Sequence, residues 1–166
     1  LSTRYLGLEL RSPIVVSANP LTRERDAVAK FEEAGAGAIV MPSLFEEEIE
    51  NEEIELAASL EQGTEGFAEA LDYFPEVDTF IGEGDRYLRS LELLKRQASV
   101  PIIASLNANS VGGWVRFARL MADAGADALE LNLYRINVDR SKTSADVEDE
   151  DLELIAAVRA AVKLPL

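Results

Sequence analysis

The sequence lacks cysteine and histidine, and it is poor in basic residues. Without cysteine it can have no disulfide, no thiolate metal site and no cysteine nucleophile. Without histidine it lacks the usual general base and the commonest zinc ligand. No apolar run approaches the ~20 residues that span a bilayer, and a net charge of −15 argues against a basic nucleic-acid-binding surface. We therefore expect a cytoplasmic protein whose partner is a small-molecule substrate, not nucleic acid or a membrane.

The remaining composition is that of a globular domain with an uneven distribution of charge. The chain has 166 residues, of which 48% are apolar, enough for one domain with a hydrophobic core. Residues 46–85 contain fifteen Asp and Glu and no Lys or Arg, whereas the rest of the chain has sixteen of each sign. This acidic segment is a solvated flap or surface helix, a docking face for a basic partner, or a divalent-cation site. Its runs of glutamate lack the spacing of a calcium loop.

An internal repeat is the strongest pattern in the chain. Residues 12–19 (SPIVVSAN) are similar to residues 100–107 (VPIIASLN), and residues 34–41 (AGAGAIVM) are similar to residues 124–131 (AGADALEL). The two pairs are offset by 88 and 90 residues. Each copy contains a proline, an apolar run ending in Ser or Asn, an amphipathic stretch, an Ala-Gly-Ala turn and a second apolar run. The repeat predicts one structural unit that occurs twice.

The apolar runs predict strands, and the stretches between them predict helices. The runs are short, rich in Val, Ile and Leu, and bounded by Pro and Gly. Trp114, Phe117 and Met121 recur at helical spacing, and Gly35 and Gly125 end the preceding helices in a left-handed cap. The predicted elements are a hairpin at 2–10, strands at 13–18, 37–42, 100–106 and 127–133, and helices at 23–34, 86–98, 111–124 and 150–162.

Strands that alternate with helices predict a parallel sheet, in either an open doubly wound fold or a (β/α)8 barrel. Two features favour the barrel. The repeat copies are equivalent, as quarter-barrels would be, and polar residues stand at the carboxyl ends of strands, where a barrel has its active face. The polar residues are Ser17, Asn19, Ser43, Ser105, Asn107 and Asn132. The predicted fold class is therefore α/β, of the TIM (β/α)8 barrel type.

Four strands make half of such a barrel. Residues 164–166 (LPL) are similar to residues 100–102 and 12–14, which open two earlier strands. We therefore expect residues 1–166 to be the N-terminal half of a single barrel domain, with its first four β/α units after an N-terminal hairpin. The alternative is a half-barrel that pairs with a second copy, which would make a homo-oligomer. In both cases the outer strands have edges that must be paired.

Several stretches of the chain resemble the class 1 dihydroorotate dehydrogenases, and most closely their bacterial dihydroorotate dehydrogenase-like branch. Residues 12–20 (SPIVVSANP), 101–106 (PIIASL) and 130–134 (ELNLY) are similar to motifs of that family. The opening residues 5–10 (YLGLEL) resemble its N-terminal hairpin, and residues 73–77 (YFPEV) are also similar. The resemblance spans the whole chain as the first half of that fold.

The resemblance implies an FMN-dependent oxidoreductase of pyrimidine biosynthesis, which transfers a hydride from a dihydropyrimidine to the flavin. By the same resemblance, Ala18, Asn19, Ser43 and Asn132 would bind FMN. Asn132 and Asn137 would bind the substrate.

At two positions where the family has functional residues, this chain has other residues. Arg135 stands where the family has its catalytic cysteine, and Pro42 stands where it has a lysine. A guanidinium stays protonated and cannot serve as a base. The candidate catalytic residues are therefore Tyr134, as a proton donor or a packing residue at the rim, and Arg135, as an anion clamp or a salt-bridge partner of the acidic segment. The alternative function is a non-catalytic assembly or binding module that docks through the acidic segment.

Two further sites follow from local patterns alone. Side-chain alternation places Glu130 on the same strand face as Asn132 and opposite Leu131, so Glu130 points into the barrel, for structural pairing or for acid–base catalysis. Gly112 and Gly113 precede a helix and make either a phosphate cradle or a plain turn.

Overall fold

The computed structural model describes residues 1–64, 82–134 and 136–166, which form an α/β fold around one parallel sheet. The strands are β1 (Thr3–Tyr5), β2 (Leu8–Leu10), β3 (Val15–Val16), β4 (Ala38–Phe45), β5 (Ile102–Asn107) and β6 (Ala128–Leu131). The helices are α1 (Arg25–Glu33), α2 (Glu46–Thr64), α3 (Glu83–Gln97), α4 (Val111–Asp123) and α5 (Ser144–Ala161), with a 3-10 turn at Pro20–Arg23.

The four parallel strands lie side by side in their order along the chain, β3-β4-β5-β6. A doubly wound sheet reverses its strand order partway, and no reversal occurs among the described strands. The sheet is therefore of the kind that four successive β/α units of a barrel would form. β1 and β2 make a separate antiparallel hairpin, whose two turn residues, Leu6 and Gly7, both have positive φ as a type I′ turn requires.

The glycine caps predicted from the repeat are confirmed. Gly35 and Gly125 follow α1 and α4 with φ of 97° and 94°, a conformation that costs little only for glycine. The amides of Ala36 and Ala126 then donate to carbonyls in the last turn of each helix, as in a Schellman motif. Both caps turn the chain directly into the next strand of the sheet.

The two faces of the sheet have different partners. The side chains of Ile39, Ile102 and Leu129 lie in the main core, which α1, α3, α4 and α5 complete. On the other face, Val40 and Ile103 pack with residues of the hairpin, which buries part of that face: Leu6, Leu8 and Leu10. The face that a barrel would turn inward is thus closed at one end by the hairpin.

The helix predicted at 150–162 begins earlier than the sequence analysis expected. α5 starts at Ser144, because Thr143 and Asp146 form a reciprocal capping box. The Thr143 amide donates to the Asp146 carboxylate over 2.7 Å, and the Asp146 amide donates to the Thr143 hydroxyl over 3.3 Å. The prediction took this acidic stretch for a loop. The strand predicted at 13–18 is also shorter, since only Val15–Val16 pairs in the sheet.

The acidic segment begins as a helix, α2, and ends within α3; residues 65–81 lie outside the described part of the chain, with the 73–77 motif among them. Arg86 pairs with Glu52 at 2.6 Å and with Glu83 at 3.0 Å, and Arg23 contacts Glu83 at 2.5 Å. Burial alone would raise the pKa of Glu83, but the two arginines outweigh it and the pKa is lowered. The ion pairs therefore tie α2 and α3 to the turn at Pro20–Arg23. No helix in the described ranges combines the length and apolarity that crossing a membrane would need.

Candidate functional site

A bulge in β4 turns Ser43 towards the inner face of the sheet. Val40 pairs with Ile103, but Ser43 pairs with Ser105, so two residues of β4, Met41 and Pro42, stand opposite a single residue of β5. Regular alternation would have put Ser43 on the same side as Met41, among the helices. The bulge reverses this, because such an insertion shifts every later side chain to the other face. Proline suits the place, since it has no N–H to offer the ladder.

Tyr87 completes the hydrogen bonds of the sheet at this bulge. Its hydroxyl accepts from the amide of Ser105 at 3.1 Å and donates to the Ser105 carbonyl at 3.3 Å. Tyr87 comes from α3 and is 1% exposed, and burial raises the pKa of its phenol. Its hydroxyl therefore stays protonated and satisfies both backbone groups of a fully buried residue.

Four polar side chains from three neighbouring strands meet at the carboxyl edge. The Ser105 hydroxyl lies 2.7 Å from the Ser43 hydroxyl and donates to Glu130 Oε1 over 2.7 Å. The Asn132 amide nitrogen, just after β6, donates to Ser43 over 2.7 Å and to Ser105 over 2.9 Å, and it lies 3.4 Å from Glu130 Oε1. We call Ser43, Ser105, Glu130 and Asn132 the edge cluster. All four residues were singled out in the sequence, and the structure brings them together; the binding of FMN by Ser43 and Asn132 stays a prediction.

A cavity of about 770 Å³ lies against the inner face, and Glu130 is part of its wall. Its wall is mostly apolar, formed by the hairpin, β3, the middle of the sheet and α5. The apolar members are Leu6, Leu10, Pro13, Val15, Val40, Ile103, Leu129, Leu131, Leu133, Ile155 and Leu166. The other polar members of the wall are Thr3, Arg4, Tyr5 and Ser17, and Arg4 is exposed and pairs with Glu9 at 3.3 Å. Glu130 thus joins the edge cluster to a space large enough for a small molecule.

The other predicted site residues in the described ranges make no hydrogen bond to the edge cluster. Ala18 is exposed, and the side chain of Asn19 caps the 3-10 turn by accepting from Leu21 N at 2.9 Å. Tyr134 is 78% exposed. The side chain of Asn137 accepts from the amide of Asp139 at 3.0 Å in an exposed turn. Arg135, the second candidate catalytic residue, lies outside the described residues.

Glu46 is a residue that the sequence analysis missed. It is the first residue of α2 and is 8% exposed. Its carboxylate accepts from the amides of Asn109 and Ser110 at 2.7 and 3.1 Å and from the Ser110 hydroxyl at 3.0 Å. It therefore fills the N-terminus of α4, where a phosphate had been one alternative. A Cβ on Gly113 would lie 2.0 Å from this carboxylate, which explains the glycine. No local signal could reveal a partner 63 positions away.

In the described part of the chain, no three acidic side chains are grouped so that they could hold a metal ion. The edge cluster itself provides one carboxylate, two hydroxyls and one amide.

Comparison with known proteins supports the fold. No family model matches the chain, and no curated protein is significantly similar to it. Among solved structures, the chain is similar to dihydrodipicolinate synthase from Agrobacterium tumefaciens str. C58, with a TM-score of 0.51 and 16% sequence identity. The match covers 92% of this chain and 42% of that chain, so this chain spans less than half of the synthase's length. At this identity the likeness shows the α/β fold with its parallel sheet, and not an activity.

The resemblance to the dihydroorotate dehydrogenases is wrong. The structural match is to dihydrodipicolinate synthase and not to a dihydroorotate dehydrogenase, so the FMN-dependent reaction of pyrimidine biosynthesis has no support. The alternative of a docking module is not confirmed either. The motifs do not identify the family, because they serve the fold. They are a proline at a strand start, an apolar strand and a glycine cap. FMN binding is not tested by this comparison and stays a prediction.

Proposed function

We propose that the carboxyl edge of the sheet is the small-molecule site of a (β/α)-barrel protein. In this site the carboxylate of Glu130 accepts a hydrogen bond or a proton from the ligand. The observation behind this is the edge cluster, in which consecutive parallel strands direct Ser43, Ser105 and Glu130 to one point. In barrels, the carboxyl ends of the strands are where ligands bind and react.

We further propose that the described strands are half of an eight-stranded barrel. Two observations support it besides the unbroken strand order. The amide of Leu129 donates to the Pro165 carbonyl over 2.9 Å, just as the amide of Ile39 donates to the Pro101 carbonyl at the start of β5. Residues 164–166 therefore run beside β6 in the way that a fifth parallel strand would begin. The inner face beyond the hairpin is also open, as a half-barrel requires.

Glu130 is suited to the role because one of its oxygens is held and the other is not. Ser105 donates to Oε1 and so orients the carboxylate, with the Asn132 amide nitrogen 3.4 Å away, while no described residue bonds to Oε2. The side chain borders the cavity. A carboxylate in this setting can accept a hydrogen bond from a ligand and, where the ligand is acidic enough, its proton. This function needs neither histidine nor cysteine.

A fragment screen followed by NMR on the full 166-residue chain tests the proposal. We expect polar fragments to shift the side-chain amide signals of Asn132 and the backbone amide of Ser105. The variant Glu130→Gln should lose or weaken these shifts, and Glu148→Gln, which alters an exposed carboxylate on α5, should keep them. A diverse library of acids, amines and neutral compounds that moves none of these signals would refute the site.

A further inference from the structure

The donor groups of the edge cluster all make their hydrogen bonds within it. Ser105 gives its hydroxyl hydrogen to Glu130 Oε1, so the hydrogen in the contact between the two serines must come from Ser43. The Asn132 amide nitrogen donates to Ser43 and Ser105 and lies 3.4 Å from Glu130 Oε1, so all of its contacts are with members of the edge cluster. Every donor therefore points inward along a chain that ends on the carboxylate.

The edge cluster has two hydrogen-bond acceptor atoms that are still available to a ligand. Glu130 Oε2 and Asn132 Oδ1 have no hydrogen-bond partner among the described residues, and ionised carboxylates accept only. None of the ion pairs between described residues involves Glu130. The nearby basic side chain in the cavity wall, Arg4, pairs with Glu9. The cluster thus has one negative charge and no donor to offer a ligand.

From this arrangement we infer that the site selects a ligand with an ammonium group on a short apolar body. The inference rests on the function proposed above. An ammonium supplies the donors and the positive charge that Glu130 and Asn132 lack. The apolar wall of the cavity, such as Val40, Ile103 and Leu131, would cover the rest of the ligand. A carboxylate or phosphate at the same point would meet Glu130 with like charge and find no free donor.

Three probes of equal size separate these possibilities: n-butylammonium, butyrate and 1-butanol, each titrated into the full chain at constant ionic strength. Binding is followed by the NMR signals of the Asn132 side-chain amide and the Ser105 backbone amide. We expect saturable shifts with butylammonium, at an affinity at least about tenfold higher than for the other two probes. Glu130→Gln should reduce the affinity for butylammonium by at least about tenfold and leave that for butanol unchanged. Glu148→Gln should behave as the wild type.

The outcomes distinguish this inference from the proposed function. If butyrate or butanol shifts the same signals as strongly as butylammonium, the site exists but the selectivity for ammonium is wrong. If butylammonium binds equally well to Glu130→Gln, the inference is also wrong, because the carboxylate does not select it. If the mixed fragment library and all three probes leave both signals unmoved, the site itself is refuted.

Discussion

The hydrogen bond between Ser105 and Glu130 gives the sharpest test of the edge cluster. Ser105 is fully buried, and its hydroxyl has three partners within 2.9 Å. Ser105→Ala removes the nearest donor to a carboxylate, and a hydrogen bond to a charged group is worth about 1.5–3 kcal/mol. We expect the free energy of unfolding to fall by about 2–3 kcal/mol. With a urea m-value of about 2 kcal/mol/M, the unfolding midpoint falls by about 1–1.5 M.

A double-mutant cycle with Glu130→Gln shows whether the loss belongs to this pair. In the Glu130→Gln background the charge-assisted bond is already gone, so Ser105→Ala should cost about 1–2 kcal/mol less than in the wild type. Urea unfolding is followed by circular dichroism and by fluorescence of Trp114, the single tryptophan, which lies in the core at 2% exposure. Ser144→Ala, at an exposed position, is the control. Additivity within about 0.5 kcal/mol would refute the bond that orients Glu130.

Three further predictions concern the contacts of Tyr87, Glu46 and Glu83. Tyr87→Phe leaves the backbone N–H and C=O of Ser105 without their partner, so it should lower the free energy of unfolding by about 1–3 kcal/mol in urea titrations. Glu46→Ala leaves the amides of Asn109 and Ser110 without the carboxylate that accepts from them, and thermal unfolding should show a loss of about 2–3 kcal/mol in the free energy of unfolding. The pKa of Glu83 is lowered in the folded protein, so its contribution to stability is present above the pKa of about 4.3 in the unfolded chain and is lost as the pH falls below it. Glu83→Gln should therefore flatten the fall in unfolding temperature between about pH 5 and pH 3.

Matched variants separate these effects from unspecific damage. Tyr5→Phe changes an exposed hydroxyl, with the side chain 53% exposed, and should be neutral. Glu47→Ala alters the neighbouring, exposed residue of α2 and should cost less than about 0.5 kcal/mol. Asp123→Asn, at an exposed position, should leave the acid-side slope unchanged. A control that loses as much as its partner variant would contradict the corresponding contact.

The family resemblance failed for a reason that is general to this fold. Proline at 13 and 101, the apolar runs after them and the caps at Gly35 and Gly125 serve strand pairing and helix termination, which every fold of alternating strands and helices needs. Such motifs are shared by proteins with unrelated chemistry. Chemistry depends on which side chains converge at the carboxyl edge, and short motifs do not report that.

The sequence by itself determined the order of the parallel strands, the positions of α1, α3 and α4, and the face of β6 on which Glu130 stands. These features follow from local periodicity and from the conformational freedom of glycine, which act within a few residues. Tertiary structure alone decided the rest. Ser43 reaches the edge cluster only through the bulge at Pro42, Tyr87 completes the sheet from a distant helix, and Glu46 reaches across to α4. Each of these depends on packing between segments far apart in the chain, where no local pattern can specify the partner.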